Sequence, residues 1–341
     1  MNDSINRQWV VGQVEDHGPG LSLTREHYVY HEATRPEIQQ GEVLIRTIYL
    51  SPDPMNHAWV KGWSEKFPAI PPGQPMCGGI AGRVIASRHP DWAVGEAVTG
   101  FLDWADYSVS DGTDHLGVPL QRVPADLALA SGLTALGMSG LCAYLGLSMV
   151  HPFPGETVLV SGASGAIGSL AGQIALLGGN RVVGIAGGPE KCALVQQLGF
   201  HEVIDYRQGQ LSAQVAELCP EGVDVFFDNV GGTPLDAALA NMAIGGRVMI
   251  CGGLSHYGAE SVGIHNHIQL AMRSVSMRGF YYFDHVDQWP KGRRQLAHWL
   301  RDGKIVEAFD IEDGFEQVPE ICLAQFSGGV KGRKLIRINN D

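Results

Sequence analysis

Residues 157–179, TVLVSGASGAIGSLAGQIALLGG, place an apolar run, three glycines spaced by three and an Ala- and Leu-rich segment in immediate succession. TVLV reads as a buried strand, Gly162 to Gly168 as a tight turn and SLAGQIALLGG as a helix. Such a turn needs glycine where the backbone takes positive φ, where a phosphate approaches the main chain, and where helix packs on strand. The helix N-terminus then offers an anion its free N–H groups and the positive end of its dipole. Alone, GxxGxxG marks any tight strand–helix junction; within a full βαβ unit it signals dinucleotide binding.

The surroundings supply that unit. From about residue 130, the strand candidates TVLVSG, RVVGIAG, EVIDY, VDVFFDNV and GRVMICGG alternate with helical segments such as EKCALVQQLG, which Gly199 closes. This predicts an α/β fold, a doubly wound parallel sheet of Rossmann type with helices on both faces. The first 125 or so residues read instead as short strands, QWVVGQV, GEVLIRTIYLS, GGIAGRVIAS, EAVTGF and ADYSVS, broken by turns and by the proline-rich loop Phe67 to Pro75. Lys291 to Ile305 reads as a late helix and RKLIRI as a closing strand. At 341 residues, two domains are expected.

Composition removes several function classes. A net charge of −12 argues against nucleic acid and anionic membrane surfaces, which need a basic face. Cys77, Cys142, Cys192, Cys219, Cys251 and Cys322 form no CxxC pair, and MNDSINRQW has no apolar leader core, so reduced thiols in a cytoplasm are expected. Leu127 to Val150 is a run of 24 uncharged residues, but four glycines, four serines or threonines and no basic flank favour a buried helix or helix pair over a membrane span.

Cofactor choice depends on the end of the second strand, where NAD-binding folds place an acid for the ribose 2′-OH. Here Ala186, Gly187 and Gly188 stand there and Lys191 follows. A lysine attracts a 2′-phosphate, and Tyr206 and Arg207 after the third strand add a hydroxyl and a second cation. Lys191 and Arg207 can also be read as solvated surface cations. The missing acid favours NADPH.

YLSPDP (49–54), LTALGMSGLCAYLGL (133–147), VLVSGASGAIGSLAGQIA (158–175), RVVGIAGGPEKC (181–192), FDNVGG (227–232), ICGGLSHY (250–257) and RGFYY (278–282) together resemble the zinc-independent medium-chain dehydrogenase/reductases. Within them, the chain is similar to the leukotriene B4 dehydrogenase, prostaglandin reductase, alkenal and curcumin reductase branch. The resemblance implies a GroES-like β-barrel catalytic domain over 1–127, a Rossmann NADP-binding domain over 128–303, a return of 304–341 to the catalytic domain, and a homodimer. It carries cofactor contacts onto Gly165, Ala166, Ile167, Gly168, Lys191, Tyr206 and Asn229. It adds Cys251, Gly252, Gly253, Leu254, Ser255, His256 and Tyr257, and then Phe280, Tyr281 and Tyr282. Two departures stand out. The family's DPYMR reads Asp53-Pro54-Met55-Asn56-His57, near the expected substrate cleft, and its GxNxGK reads Gly328 to Arg333 with Val330 at the asparagine.

Zinc-dependent relatives use a cysteine with a His-Glu pair and a four-cysteine lobe; here MCGGIAGRV stands at the His-Glu segment, and Cys77 alone makes no tetrahedral site. His265 and His267 lack an apparent third ligand and read as loop histidines. No GxSxG surrounds Ser161 or Ser164. Carbonyl polarisation then falls to hydrogen bonds, which suits 1,4-reduction of an α,β-unsaturated ketone or aldehyde. The donor candidate is Tyr257, which the resemblance places near the nicotinamide ribose. Tyr144 is the second candidate and also reads as a packed aromatic. Trp59, Trp63 and Phe67 form either an apolar wall for a hydrophobic substrate or a cover for the β-domain. A quinone reductase and a non-catalytic NADPH-binding sensor remain open as other readings.

Overall fold

The computed structural model describes residues 4–14, 18, 21–257, 263–324 and 332–341. They form two compact units: one of the chain up to Leu133 with residues from Phe309 to Ala324 and Lys334–Asp341, the other of Thr134–Ala308 with Gly332 and Arg333.

The first unit is antiparallel. Its strands are β1 (Ile5–Val11), β2 (Tyr28–Thr34), β3 (Val43–Ser51), β4 (Cys77–Ser87), β5 (Ala97–Asp103), β6 (Tyr107–Ser110) and β7 (Gln121–Arg122). β1 and β2 pair from Ile5 with Thr34 to Val11 with Tyr28. β3 is the hub of the larger sheet: β4 runs along one side, and β6 and the closing strand share the other. Alternate side chains of β3, β4 and β5 bury Val43, Ile45, Ile80, Val84, Val98 and Leu102 in one cluster. A second cluster gathers Trp9, Tyr28, Leu50, Met76 and Trp104 against Phe315 and Ile336 from the end of the chain. Helix α1 (Pro54–Lys61) leaves β3 through an Asp53 cap with Pro54 in its first turn, and Gly62 at φ 59 ends it.

The second unit opens with helix α2 (Met138–Val150), which begins inside the long uncharged run. Nine of its thirteen residues are buried, and no helix among the described residues is long and apolar enough to cross a membrane. There follow β8 (Thr157–Val160), α3 (Ala166–Leu177), β9 (Arg181–Ala186), α4 (Pro189–Gln197), β10 (Glu202–Asp205) and α5 (Leu211–Leu218). β11 (Val223–Asp228), α6 (Gly232–Ala240), β12 (Met242–Ile250), α7 (Ile268–Met272), β13 (Ser276–Gly279) and α8 (Trp289–Arg301) complete it. Returning to the first unit, β14 (Phe309–Asp313) and α9 (Val318–Ala324) precede β15 (Arg333–Arg337).

All five pairings in the order β10-β9-β8-β11-β12-β13 are parallel. Numbered within the unit, this is the order 3-2-1-4-5-6 of doubly wound dinucleotide-binding sheets. Phe226 and Phe227 show the two-sided burial such a sheet requires. Phe226 packs with Leu235, Leu239, Leu211 and Val215 of α5 and α6. Phe227 faces the opposite side, where an added Cβ on Gly146 of α2 would come within 2.7 Å of it. Each ring is completely buried and contributes about 1.5–3 kcal/mol.

Candidate functional site

The chain's connections reverse direction between β8 and β11, and in open parallel sheets ligands bind at the carboxyl ends beside such a point. The glycine turn leaves β8 there. Gly162 has φ +59, which an L side chain rarely adopts. Gly168 lets α3 pack onto the turn: a Cβ would lie 2.3 Å from the Gly162 carbonyl oxygen. Gly165 is different. Its φ is −84, and among the described residues only the Gly162 oxygen, at 3.2 Å, stands within 4 Å of an added Cβ. Protein packing makes little demand for glycine at 165, whereas a phosphate pressing on the main chain would. Gly165 is also the N-cap of α3, so the N–H groups of Ala166, Ile167 and Gly168 have no acceptor within the helix. Gly332 of the returning chain flanks the turn, donating its N–H to Ser164 O at 2.8 Å; Val330 lies outside the described residues.

The end of β11 supplies the next element. Asp228 is fully buried and accepts from Ser161 Oγ at 2.6 Å and from the Val230 and Gly231 N–H groups at 3.0 Å. Burial pushes its carboxyl up, and those hydrogen bonds oppose the shift. Ser161 in turn accepts from Asn229 N, and Asn229 Nδ2 donates to Ser161 O, each at 2.8 Å. The Asn229 amide is thereby fixed with its Oδ1 buried and without a hydrogen-bond partner among the described residues. A buried, unsatisfied acceptor is costly unless a ligand satisfies it. Sequence reasoning named Asn229 but missed Ser161 and Asp228, which hold it.

The loop after β12 is laced onto this corner. Cys251 and Gly252 donate to Asp228 O, Leu254 to Asn229 O and Ser255 to Val230 O, at 2.8–3.3 Å. A Cβ on Gly252 would sit 3.0 Å from Asn229 O. Gly253 and His256 continue into the single turn Leu254–Tyr257, which ends on the half-buried Tyr257. The Cys251 thiol is held well above its usual range by a hydrogen bond with Cys142 of α2 and by burial; it is no nucleophile at neutral pH.

At the other side of the switch point, the structure brings Tyr206 and Arg207 to the end of β9. A Cβ on Gly187 would strike the Tyr206 ring at 2.6 Å, and one on Gly188 would lie 3.1 Å from Arg207 Nη1. Lys191 stands in the first turn of α4, half-buried. Phe280, Tyr281 and Tyr282 follow β13. Tyr282 is buried and stacks on Trp289 with centroids 4.3 Å apart, while Phe280 packs on His285 and Tyr281 on Phe283.

In the first unit, the departing residues of α1 are structural. Asn56 Oδ1 accepts from Asp53 N and its Nδ2 donates to Cys77 O. His57 bonds Cys322 O of α9 through Nε2 at 3.0 Å. Burial pulls its imidazole down to about 4, so it stays neutral there. Trp59 is 3% exposed, between Phe67 and Phe101; it covers the β-unit from within. His265 of the His-Asn-His segment bonds Asp236 at 2.8 Å.

Comparison with known proteins agrees with this architecture. Residues 166–298 match the family described as zinc-binding dehydrogenase, and 9–118 the N-terminal domain of oxidoreductase. The NADPH-dependent curcumin reductase of Escherichia coli (strain K12) is 34% identical over 345 residues, covering 98% of each chain. The chain belongs to the zinc-independent medium-chain dehydrogenase/reductases. It is an oxidoreductase. The 2-alkenal reductase (NADP(+)-dependent) of Nicotiana tabacum is 35% identical over 306 residues, 88% of each chain. CurA from Vibrio vulnificus, in its complex with NADPH, superposes with a TM-score of 0.88 at 32% identity over 98% of this chain and 100% of its own. Despite the wording of the family description, no group of three or more His, Cys, Asp or Glu side chains among the described residues could hold a metal ion.

Proposed function

We propose that this protein is an NADPH-dependent reductase of the carbon–carbon double bond of α,β-unsaturated ketones and aldehydes. The observation that carries the reading is the corner at the switch point, where the unsatisfied Asn229 Oδ1 stands beside the loop ending in Tyr257. Its donor set fits a nicotinamide nucleotide: an acceptor for an amide or hydroxyl proton, a glycine-lined main chain and a phenolic hydroxyl. Gly165 to Gly168 would take the pyrophosphate, Lys191 and Tyr206 the 2′-phosphate, and Asn229 with the Cys251–Tyr257 loop the nicotinamide end. The similarity to curcumin and alkenal reductases supports the substrate class.

When bound, NADPH would supply the hydride that adds to the β-carbon. The Tyr257 hydroxyl would donate a hydrogen bond to the carbonyl oxygen as negative charge develops there. Protonation of the α-carbon, with solvent as the ultimate source, completes the two-electron reduction. The substrate is a hydrophobic small molecule. Reduction of an enone by deuterium-labelled NADPH tests the proposal: the label is expected on the β-carbon. Label on the carbonyl carbon would mean alcohol dehydrogenase chemistry. NADPH binding without turnover of any enone, alkenal or quinone would favour a sensor.

We also propose a homodimer. β13 is the outer strand of the parallel sheet among the described residues, and Ile244, Ile264, Ile268 and Met272, from β12, α7 and the segment before α7, are exposed by 85%, 40%, 55% and 73%. An outer strand without a second pairing partner among the described residues, together with exposed apolar side chains, favours association.

A further inference from the structure

NAD-dependent sheets of this kind carry their acid at the end of the second strand, and here that position is Ala186. The strand register supplies an acid from next door. Asp205, the last residue of β10, is the lateral partner of Ala186, the last residue of β9, so it stands one strand spacing away, about 4.8 Å. Its carboxylate reaches back toward β9. Oδ1 accepts from Gly188 N at 2.9 Å, in the loop leaving β9, and from Arg207 N at 3.0 Å, in the turn leaving β10. Oδ2 is 3.5 Å from Gln208 Nε2. One oxygen thus ties together the two segments that bear Lys191 on one side and Tyr206 and Arg207 on the other.

Two consequences oppose each other. The tie holds the Tyr206 ring against Gly187 and Arg207 against Gly188, which assembles the side chains that would meet a 2′-phosphate. The same carboxylate would put a full negative charge beside a 2′-phosphate held there. The Gly188 N–H keeps the carboxyl below its usual range, so the charge is present throughout the neutral region. We propose that Asp205 is a specificity-determining residue that both shapes the 2′-phosphate subsite and limits the preference for NADPH over NADH. The inference rests on the NADPH reading above and goes beyond it: Asp205 keeps discrimination weaker than its neighbouring cations would make it.

The two roles are separable because asparagine retains Oδ1. Asp205→Asn keeps an acceptor for both N–H groups and removes the charge; Asp205→Ala removes both. Binding of NADPH and NADH to the intact protein is measured by nucleotide fluorescence for wild type and both variants, at low and moderate salt. In Asp205→Asn, NADPH is expected to bind about three- to tenfold more tightly, with NADH nearly unchanged and the gain shrinking as salt rises. Asp205→Ala is expected to bind NADPH more weakly than Asp205→Asn. An unchanged or lower NADPH/NADH discrimination in a folded Asp205→Asn overturns the proposal, as does equal NADPH binding by the two variants. Failure of the underlying reading looks different: wild type itself would bind neither nucleotide, or would bind NADH better.

Discussion

Gly165 and Gly168 lie in one turn yet answer to different forces, and substitution separates them. A Cβ on Gly168 would meet three backbone atoms of Gly162 and Ala163 within 3.0 Å, so Gly168→Ala should destabilise the unit by about 1–3 kcal/mol through overpacking. Gly165→Ala, with ordinary φ and a single contact at 3.2 Å, should leave the urea midpoint nearly unchanged and weaken NADPH binding by about tenfold or more, because the methyl occupies the approach of the phosphate. Equal loss of stability in both variants would show that Gly165 serves the fold. Tyr257→Phe should lower kcat by about 10- to 1,000-fold, the upper end matching loss of one strong oxyanion donor, with NADPH affinity changed much less. An unchanged kcat would move the donor role to the ribose hydroxyl or Tyr144. At this scale, spacing shows the glycines and the lysine but not what holds them. Ser161 and Asp228 are 67 positions apart, and Asp205 meets Gly188 only once β9 and β10 are in register. Contacts of that kind have no local signature.

The alternation of apolar runs and helices was legible because the central parallel strands β8, β9 and β11 are buried on both faces and because a helix such as α4 closes on its glycine, Gly199 at φ +89. Helix α1 was harder to see. Its signals were present, Asp53-Pro54 at the start and Gly62 at the end, but an eight-residue helix inside a strand-rich segment presents little more than two turns of periodicity. β13 is four residues with a mostly exposed pattern, so no apolar run announced it; its place comes from pairing with β12. What α1 does is measurable. His57 anchors it to α9 as a neutral imidazole whose pKa falls from 6.5 to about 4 on burial. The unfolded chain therefore binds this proton first, so the contribution is complete above pH 6.5 and is lost as pH falls from 6.5 toward 4. The full shift corresponds to about 3 kcal/mol. Urea unfolding at pH 7 and pH 4.5 should show a steeper loss for wild type than for His57→Gln. Equal slopes would mean that His57 titrates normally in the folded protein.

For the whole molecule, the open question is how the exposed end of the parallel sheet is covered. The backbones at Ile244 and Met272 are brought close: Gly245, next to Ile244, donates its N–H to Arg273 O, next to Met272, at 2.8 Å. β13 carries Arg278 but no proline or bulge to discourage pairing along its edge. A net charge of −12 makes two copies repel at long range, so association must come from apolar burial and backbone pairing at short range. It should then survive high salt, which screens the repulsion. Wild type is expected to sediment as a dimer, more completely as salt rises. Ile268→Glu combined with Met272→Glu should give a monomer, since each buried carboxylate would lack a partner. The glycine turn and the Asn229 corner lie away from these two positions in sequence, and nucleotide binding by the monomer should be retained. A dimer that persists in the double variant would place the interface elsewhere. A dimer that dissolves at high salt would make it electrostatic, contrary to the apolar side chains proposed here.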